Sequence, residues 1–283
     1  MKFTKMHGLG NDFIVIAGLK RLPEQAPALA IAWCDRHFGI GADGVVYILP
    51  SEQADFRMRI INADGSEAEQ CGNAIRCVAR YVYDRGLTSK EELTVETLGA
   101  GVQSVRLTVA NGRASTVTVD MGEPVLQGRA IPTTLDLDRV VGQTLLAQDG
   151  TPFQFTAVSM GNPHCVILVD DAPSFDLHRY GPPLEVHELF PNRVNVEFAT
   201  VRSRDHVDMR VWERGSGPTL ACGTGACATV VATALNGLTD RQATVSLAGG
   251  DLRIDWSEAN NRIYMTGPAE IVFDGELPGV HLE

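Results

Sequence analysis

Cys71-Gly72-Asn73-Ala74-Ile75-Arg76-Cys77-Val78 and Cys222-Gly223-Thr224-Gly225-Ala226-Cys227-Ala228-Thr229 decide the reading of this chain. Each is a cysteine and a glycine leading into an apolar helical stretch, and the two lie 151 residues apart. At the same ungapped shift Gly10-Asn11 falls on Gly161-Asn162, Met58-Arg59 on Met209-Arg210, and Gly86-Leu87-Thr88 on Gly237-Leu238-Thr239. Farther on, Leu93-Thr94-Val95 matches Ala243-Thr244-Val245 at a shift of 150. Landmarks kept in one order at one offset mark an internal duplication. The expected fold is α+β, with two pseudo-symmetric lobes facing each other about a twofold pseudo-axis.

Each half reads as strands, a short helix, more strands, a longer helix and a final run of strands. The longer helices are expected over Gly72–Asp84 and Gly223–Leu235. Ile75, Val78, Ala79 and Val82 keep helical spacing in the first, and Ala226, Val230 and Ala234 in the second; Gly86 and Gly237 stop them. Alternating or β-branched runs predict strands over 102–109, 115–121, 244–255 and 262–266. The lobes divide as 1–122, carrying Cys71, and 123–268, carrying Cys222.

Composition narrows the function. The 283 residues are 44% hydrophobic, enough for a full core without staples, and carry 24 basic against 35 acidic side chains for a net charge of −11. That balance, with no basic run, argues against nucleic acid and anionic membranes as partners. The start, Met1-Lys2-Phe3-Thr4-Lys5, has no apolar segment, and nowhere does an apolar run approach the ~20 residues of a membrane span. Six cysteines in so long a chain are not a disulfide framework, so a cytoplasmic protein with reduced thiols is expected. Lysine is scarce: Lys2, Lys5, Lys20 and Lys90 only, three of them in the first twenty residues and none in a phosphate-cradling setting. Pyridoxal chemistry, which needs a Schiff-base lysine in a shaped pocket, does not fit.

Cys71 and Cys222 sit where amide N–H groups and the positive end of a helix dipole converge, a setting that lowers a thiol's pKa and attracts anions. Two such thiols on facing lobes suit one task. One thiolate strips a proton from a stereocentre and the opposite thiol returns a proton to the other face, with both helix starts stabilising the charge that develops on an adjacent carboxylate. A link between the two would be an oxidised, inactive form. Cys34, Cys77, Cys165 and Cys227 read instead as small buried hydrophobes. No cysteine spacing here matches a metal site.

At these residues the chain resembles the diaminopimelate epimerase family. The matching segments are Met6-His7-Gly8-Leu9-Gly10-Asn11-Asp12-Phe13, Gly39-Ile40-Gly41-Ala42-Asp43-Gly44, Asn62-Ala63-Asp64-Gly65-Ser66-Glu67 and Cys71-Gly72-Asn73. They continue through Met160-Gly161-Asn162-Pro163-His164, Arg193-Val194-Asn195, Glu213-Arg214-Gly215 and Cys222-Gly223-Thr224-Gly225, in family order across both halves. The resemblance implies two lobes, each a strongly curved mixed β-sheet or barrel around a central helix, with the tail 269–283 packing on the first. It implies interconversion of LL- and meso-2,6-diaminopimelate, an amino-acid substrate on the route to lysine and peptidoglycan, with no cofactor and no metal, by a homodimer.

Carried over by position, the resemblance makes Cys71 and Cys222 the proton acceptor and donor, exchanging roles with direction. Gly72-Asn73 and Gly223-Thr224 would hold the carboxylate at the reacting centre. Asn11, Asn62, Asn162 and Asn195 would bind the substrate's polar groups, Glu213 its ammonium and Arg214 a carboxylate, for which the guanidinium fork is suited. His164 and Glu213 would tune the thiols. Read without the family, Asn62 is a loop-capping residue and His164 a satisfied strand histidine. His7, His37, His178, His187, His206 and His281 read as surface or packing residues. Departures from the family pattern are Gly44 where some relatives carry glutamine, Ala74 where glycine is common, and Phe273 in place of a dimer-contact tyrosine.

Three other readings carry less. Gly39-Ile40-Gly41-Ala42-Asp43-Gly44 fits a dinucleotide fingerprint, but a helical stretch over 29–38 precedes it and a strand over 45–49 follows, the reverse of what that site requires. Proline and hydroxyproline racemases share the paired cysteines but show Cys-Gly-His and Asp-Arg-Ser-Pro where this chain has Cys71-Gly72-Asn73 and Glu213-Arg214-Gly215; phenazine-type isomerases lack the pair. A non-catalytic binder or thiol sensor would show no α-proton exchange.

Overall fold

A computed structural model describes residues 1–69 and 71–277; the last six positions, which include His281 and the end of the expected tail, lie outside the described residues. The first half runs β1 (Lys2–Gly8), β2 (Asn11–Ala17), α1 (Ala26–Cys34), β3 (Gly44–Leu49), β4 (Phe56–Asn62), β5 (Glu67–Ala68), α2 (Gly72–Asp84), β6 (Glu92–Thr97), β7 (Gly101–Ala110) and β8 (Arg113–Asp120). The second runs β9 (Gln143–Leu146), β10 (Pro152–Ser159), β11 (Pro163–Leu168), α3 (Leu177–Glu185), β12 (Asn195–Ser203), β13 (His206–Glu213), β14 (Gly217–Pro218), α4 (Gly223–Leu235), β15 (Gln242–Leu247), β16 (Gly250–Trp256) and β17 (Ile263–Gly267). A last strand, β18 (Glu270–Glu276), follows. The chain divides into one unit of Met1–Asp120 with everything from Thr266 onward, and a second unit of Met121–Met265.

Topology repeats between the units. In the first, β1 and β2 form an antiparallel hairpin, β2 lies parallel to β3, β3 antiparallel to β4, and β4 parallel to β6. In the second, β10–β11, β11–β12, β12–β13 and β13–β15 repeat that order and sense. Register repeats too. Phe13 opposes Gly44 as His164 opposes Asn195, and Val45 opposes Ile61 as Val196 opposes Trp212. An outer strand completes each set: β18 pairs antiparallel with β1, and β9 with β10.

A helix lies at the centre of each unit. α2 packs on β1, β7 and β8 and reaches β2, β3 and β4, while α4 packs on β10 to β13 and on β15 and β16. Strands on several sides bury a helix nearly all round, so α4 is apolar or small on almost every position, with Gly225 to Thr233 all buried. Short, unbranched alanines let the surrounding strands approach. The smaller helices α1 and α3 cover the outside of the same sheets, α1 on β3 and β4 and α3 on β12 and β13.

Two boundaries differ from the sequence expectation. The helix expected over 29–38 is α1, which begins at Ala26 with a proline in its first turn and ends at Cys34. There the Asp35 carboxylate accepts from His37 N (2.7 Å) and Phe38 N (2.8 Å), an Asx-type turn that competes with further helix. The single run expected over 244–255 is two strands, β15 and β16, closed by a hairpin in which Leu247 opposes Gly250.

Candidate active site

Hairpin geometry places the first polar residues. Gly8 opposes Asn11 across a two-residue turn in which Leu9 and Gly10 both have positive φ (57° and 86°), the primed turn that matches strand twist. A second tight turn ends at Asn162, after Gly161 with φ 93°. A side chain at either glycine would strain the turn, so Gly-Asn recurs where an asparagine must stand at a strand's end.

In the first unit the Cys71 sulfur caps α2, accepting from Ala74 N at 3.5 Å, and its thiol faces Asn11 Oδ1 at 3.6 Å. The donor at position 74 is the backbone N–H, so alanine serves there without a side-chain contribution. Asn73 Nδ2 also donates to Asn11 Oδ1 (3.2 Å). The Asn11 amide is held in this orientation from behind, since its Nδ2 donates to Asp43 Oδ2 at 2.8 Å. Asp43 is in turn bridged by Arg36 to Asp12, which also pairs with Lys5 at 2.6 Å. Burial works to raise the Asp12 carboxyl, but the Arg36 and Lys5 hydrogen bonds outweigh it and hold it at about 2. Arg76, fully buried, donates to Asn73 Oδ1 (2.8 Å), Gly72 O (2.9 Å) and Pro268 O (3.0 Å), fixing the helix's first turn. Asn62 stands at the end of β4, its Nδ2 donating to Ser66 Oγ at 3.0 Å. A Cβ at Gly44 would lie 2.9 Å from Ile61 O, so this backbone has no room there for a side chain.

In the second unit Cys222 caps α4. Gly225 N donates to its sulfur at 3.4 Å and the Thr224 hydroxyl lies 3.6 Å from it. Glu213, at the end of β13, accepts from the Thr219 hydroxyl, and its negative charge acts on the Cys222 thiol. Asn162 donates from Nδ2 to Thr224 Oγ1 at 3.4 Å, while its Oδ1 lies 3.0 Å from His164 Nε2. His164 Nδ1 lies 2.6 Å from Glu197 Oε1, and both side chains are wholly buried. Asn195 donates to Pro163 O (2.9 Å) and accepts from Arg214 N (2.9 Å), tying three strand ends together. Just past the end of β13, the Arg214 guanidinium reaches the exposed side and donates to Asn192 O at 3.3 Å.

Electrostatics correct one expectation. A helix start lowers a thiol's pKa in isolation, yet burial, joined by the negative charge of Glu213 and Glu197, raises Cys222 well above its ordinary value. The Thr224 hydroxyl and the Gly225 N–H oppose this and lose. Burial likewise raises the Glu213 carboxyl, against the Thr219 hydroxyl and His164. The remaining cysteines behave as hydrophobes: burial raises Cys34 to about 11, Cys77 to about 12, and Cys165 well above the ordinary thiol.

Sequence reasoning missed Arg76 and Glu197, the two buried charges nearest the helix starts. The duplication held a signal for both, since the shift of 151 sets Arg76 on Cys227 and Glu197 on Val46, a charge against an apolar residue each time.

Residues 3–127 and 156–272 match the family described as Diaminopimelate epimerase. The curated Diaminopimelate epimerase of Acetivibrio thermocellus is 55% identical over 277 residues, covering 98% of each chain, and that of Desulfitobacterium hafniense is 54% identical over 280 residues with the same coverage. Among solved structures, the phenazine biosynthesis protein of the PhzF family from Bacillus anthracis superposes with a TM-score of 0.71 at 18% identity, covering 98% of both chains. A probable proline racemase from Agrobacterium radiobacter K84 gives 0.69 at 15%, covering 99% of this chain and 93% of its own. These distant likenesses show the expected fold, mixed sheets around central helices, and nothing of activity. Identity above one half along nearly the whole chain shows more: this protein belongs to the diaminopimelate epimerase family.

Proposed function

We propose that this protein interconverts LL- and meso-2,6-diaminopimelate without a cofactor, by two-base proton transfer between Cys71 and Cys222, in the supply of lysine and peptidoglycan precursor. One observation carries the reading: two cysteines cap register-equivalent helices, one beside amides and the other beside carboxylates. Membership of the family supplies the substrate. The Cys71 thiolate takes the α-proton, the C–H electron pair moves into the carboxylate, and the Cys222 thiol delivers its proton to the opposite face. No electron is gained or lost overall, and the thiols exchange protonation states.

The raised Cys222 supports the donor role in this direction, because a thiol held as S–H in the substrate-free protein is a poised acid. N–H groups in the first turns of both helices, at Gly72-Asn73 and Gly223-Thr224, meet the charge developing on the carboxylate; donors so placed are worth about 10²–10³-fold each. Asn11, Asn62, Asn162 and Asn195 bind the substrate's polar groups, Glu213 its ammonium and Arg214 a carboxylate, while His164 and Glu213 tune Cys222. No helix among the described residues is long and apolar enough to cross a membrane, and the reading places the enzyme in the cytoplasm as a homodimer of two-lobed chains.

Proton NMR of LL-diaminopimelate with reduced protein in D₂O tests this, with L-proline alongside. Deuteration at Cα together with meso product is expected from the parent, and loss of both from Cys71→Ala and from Cys222→Ala. Exchange with proline alone moves the protein to the neighbouring racemases, and robust turnover by either single variant refutes the two-base mechanism.

A further inference from the structure

The second unit buries an ion-pair geometry at positions whose equivalents in the first unit are apolar. His164 and Glu197 are both wholly buried, on the parallel strands β11 and β12. Their equivalents under the shift of 151 are Phe13 and Val46, both buried hydrophobes. Packing at this place therefore does not require polar side chains, and burying a carboxylate with an imidazole brings a desolvation cost that two hydrophobes avoid. Nor is the carboxylate fully satisfied, since Glu197 Oε2 is buried and has no hydrogen-bond partner among the described residues. Its charge is balanced through Oε1 and His164 alone.

Hydrogen-bond direction explains the arrangement. His164 Nδ1 meets Glu197 Oε1 at 2.6 Å, the short separation of a charge-assisted bond, and Nε2 meets Asn162 Oδ1 at 3.0 Å. With the Asn162 amide oriented as it stands, both ring nitrogens face oxygen acceptors, and in that orientation a neutral imidazole, with one N–H only, sets a lone pair against a lone pair. With the ring doubly protonated every later bond points the same way. Asn162 accepts from His164 and donates to Thr224 Oγ1 (3.4 Å). The Thr224 hydroxyl, accepting from Asn162, turns its own proton to the Cys222 sulfur 3.6 Å away.

We propose that Glu197 is the positioning residue of Cys222: its carboxylate holds His164 doubly protonated and so orders a one-way hydrogen-bond chain through Asn162 and Thr224 that ends with a donated proton on the Cys222 sulfur. Without that charge the ring keeps one proton, on Nδ1. The Asn162 amide then rotates to donate to Nε2, and its oxygen withdraws the Thr224 proton from the sulfur. Among the described residues the titratable groups acting on Cys222 are Glu213 and Glu197, with the Thr224 hydroxyl beside its sulfur, and the proposal rests on the reading that Cys222 is a working thiol.

Glu197→Gln, nearly isosteric, tests the chain. Side-chain ¹⁵N spectra of the full-length protein at neutral pH should show His164 doubly protonated in the parent and singly protonated in the variant. Alkylation of Cys222 by iodoacetamide, followed by peptide mapping, should slow about tenfold: His164 loses its positive charge together with the negative charge of Glu197, so the net charge of the pair is unchanged and the lost hydrogen bond to a charged sulfur decides the rate. Thr224→Val should slow it equally, and the double variant no further. The sign is decisive, because a Glu197 acting only as a nearby negative charge would, once neutralised, speed alkylation. A faster or unchanged rate, additive effects, or a singly protonated His164 in the parent overturns the proposal. Should Glu197→Gln not fold, the parent spectrum and Thr224→Val decide alone, an undiminished rate in the latter overturning it. None of these readouts uses diaminopimelate, so an absent epimerase activity leaves the inference standing and sinks only the functional reading.

Discussion

Replacing Arg76 by methionine keeps the reach of the side chain and deletes every donor. In the parent the buried guanidinium serves three acceptors, Asn73 Oδ1, Gly72 O and Pro268 O, at 2.8, 2.9 and 3.0 Å. Hydrogen bonds from a charged donor contribute about 1.5–3 kcal/mol each, and acceptors left unpaired in the interior cost a similar amount. Burying the methionine returns about 1.5–3 kcal/mol, and removing the guanidinium spares its desolvation. The net loss comes to about 3–5 kcal/mol, a large share of the roughly 5–15 kcal/mol that holds a protein folded. In thermal unfolding this is a fall of roughly 6–20 °C for units of this size. Turnover should drop as well, because Asn73 loses the anchor that aims its Nδ2 at Asn11, and Asn11 is the amide facing the Cys71 sulfur. Arg76→Lys should fall between, since one ammonium cannot span three acceptors on two segments. A methionine variant within about 1 kcal/mol of the parent, by urea unfolding, would show that these bonds do not organise the helix start.

Removing the Glu213 charge with Glu213→Gln should lower the titration of Cys222 and speed its alkylation at neutral pH, since that carboxylate is the larger of the two charges raising the thiol; slower alkylation would mean that the Glu213 charge does not hold the thiol up. Gly225→Ala places a methyl 2.8 Å from Glu197 Oε1 and 3.1 Å from the Cys222 sulfur, and should cost about 1–3 kcal/mol in urea unfolding together with most of the turnover; unchanged stability and rate mean that the helix start yields freely. Acid stability should carry the mark of Asp12. Its carboxyl sits at about 2 in the folded protein, below the ~3.9 of an unfolded chain, so its contribution is present above about pH 4 and is lost as pH falls through 2. Discounted for the exposure of Arg36, that contribution is about 1–2 kcal/mol. The gap in unfolding free energy between the parent and Asp12→Asn should thus narrow towards pH 2, and a gap independent of pH refutes the assignment.

The duplication was legible because its landmarks are residues that backbone geometry demands. Gly10 and Gly161 take positive φ in tight turns, Gly86 and Gly237 do so after helices, and Cys71 and Cys222 occupy helix caps. Between those points the sequences diverge while the elements keep step: α1 and α3 share almost no residues, yet Ala26–Cys34 and Leu177–Glu185 lie 151 apart at both ends. The end of α1 was harder to read, because Ile31, Trp33 and Phe38 continue an apolar pattern that the Asp35 side chain interrupts by capturing two amides. Buried charge was not legible at all from local spacing. Arg76 sits on a helix of apolar neighbours and finds Pro268 192 residues away. Glu197 alternates with hydrophobes on β12 and meets its imidazole on β11, 33 residues earlier. The direction of the Cys222 titration failed for the same reason, since the helix start is local to the cysteine, while the burial that overrules it, and the two carboxylates that add to it from β12 and β13, come from elsewhere in the chain.

In the proposed two-base epimerisation one thiol begins as a base and the other as an acid, and unlike surroundings fix which is which. This chain differs between its halves at register-equivalent positions. Phe13 and Val46 of the first unit become His164 and Glu197 in the second, Asn62 becomes Glu213, and Arg76 becomes Cys227. These differences put the Glu197 and Glu213 carboxylates near Cys222, while the Cys71 thiol faces the Asn11 amide and a buried guanidinium lies at the base of its helix. The scaffold that holds both sulfurs at helix caps is common, so their placement is inherited from the repeat. The raised titration of Cys222 comes from burial together with carboxylates present in one copy only, and a chain restored to symmetry at those positions would lose the carboxylate contribution.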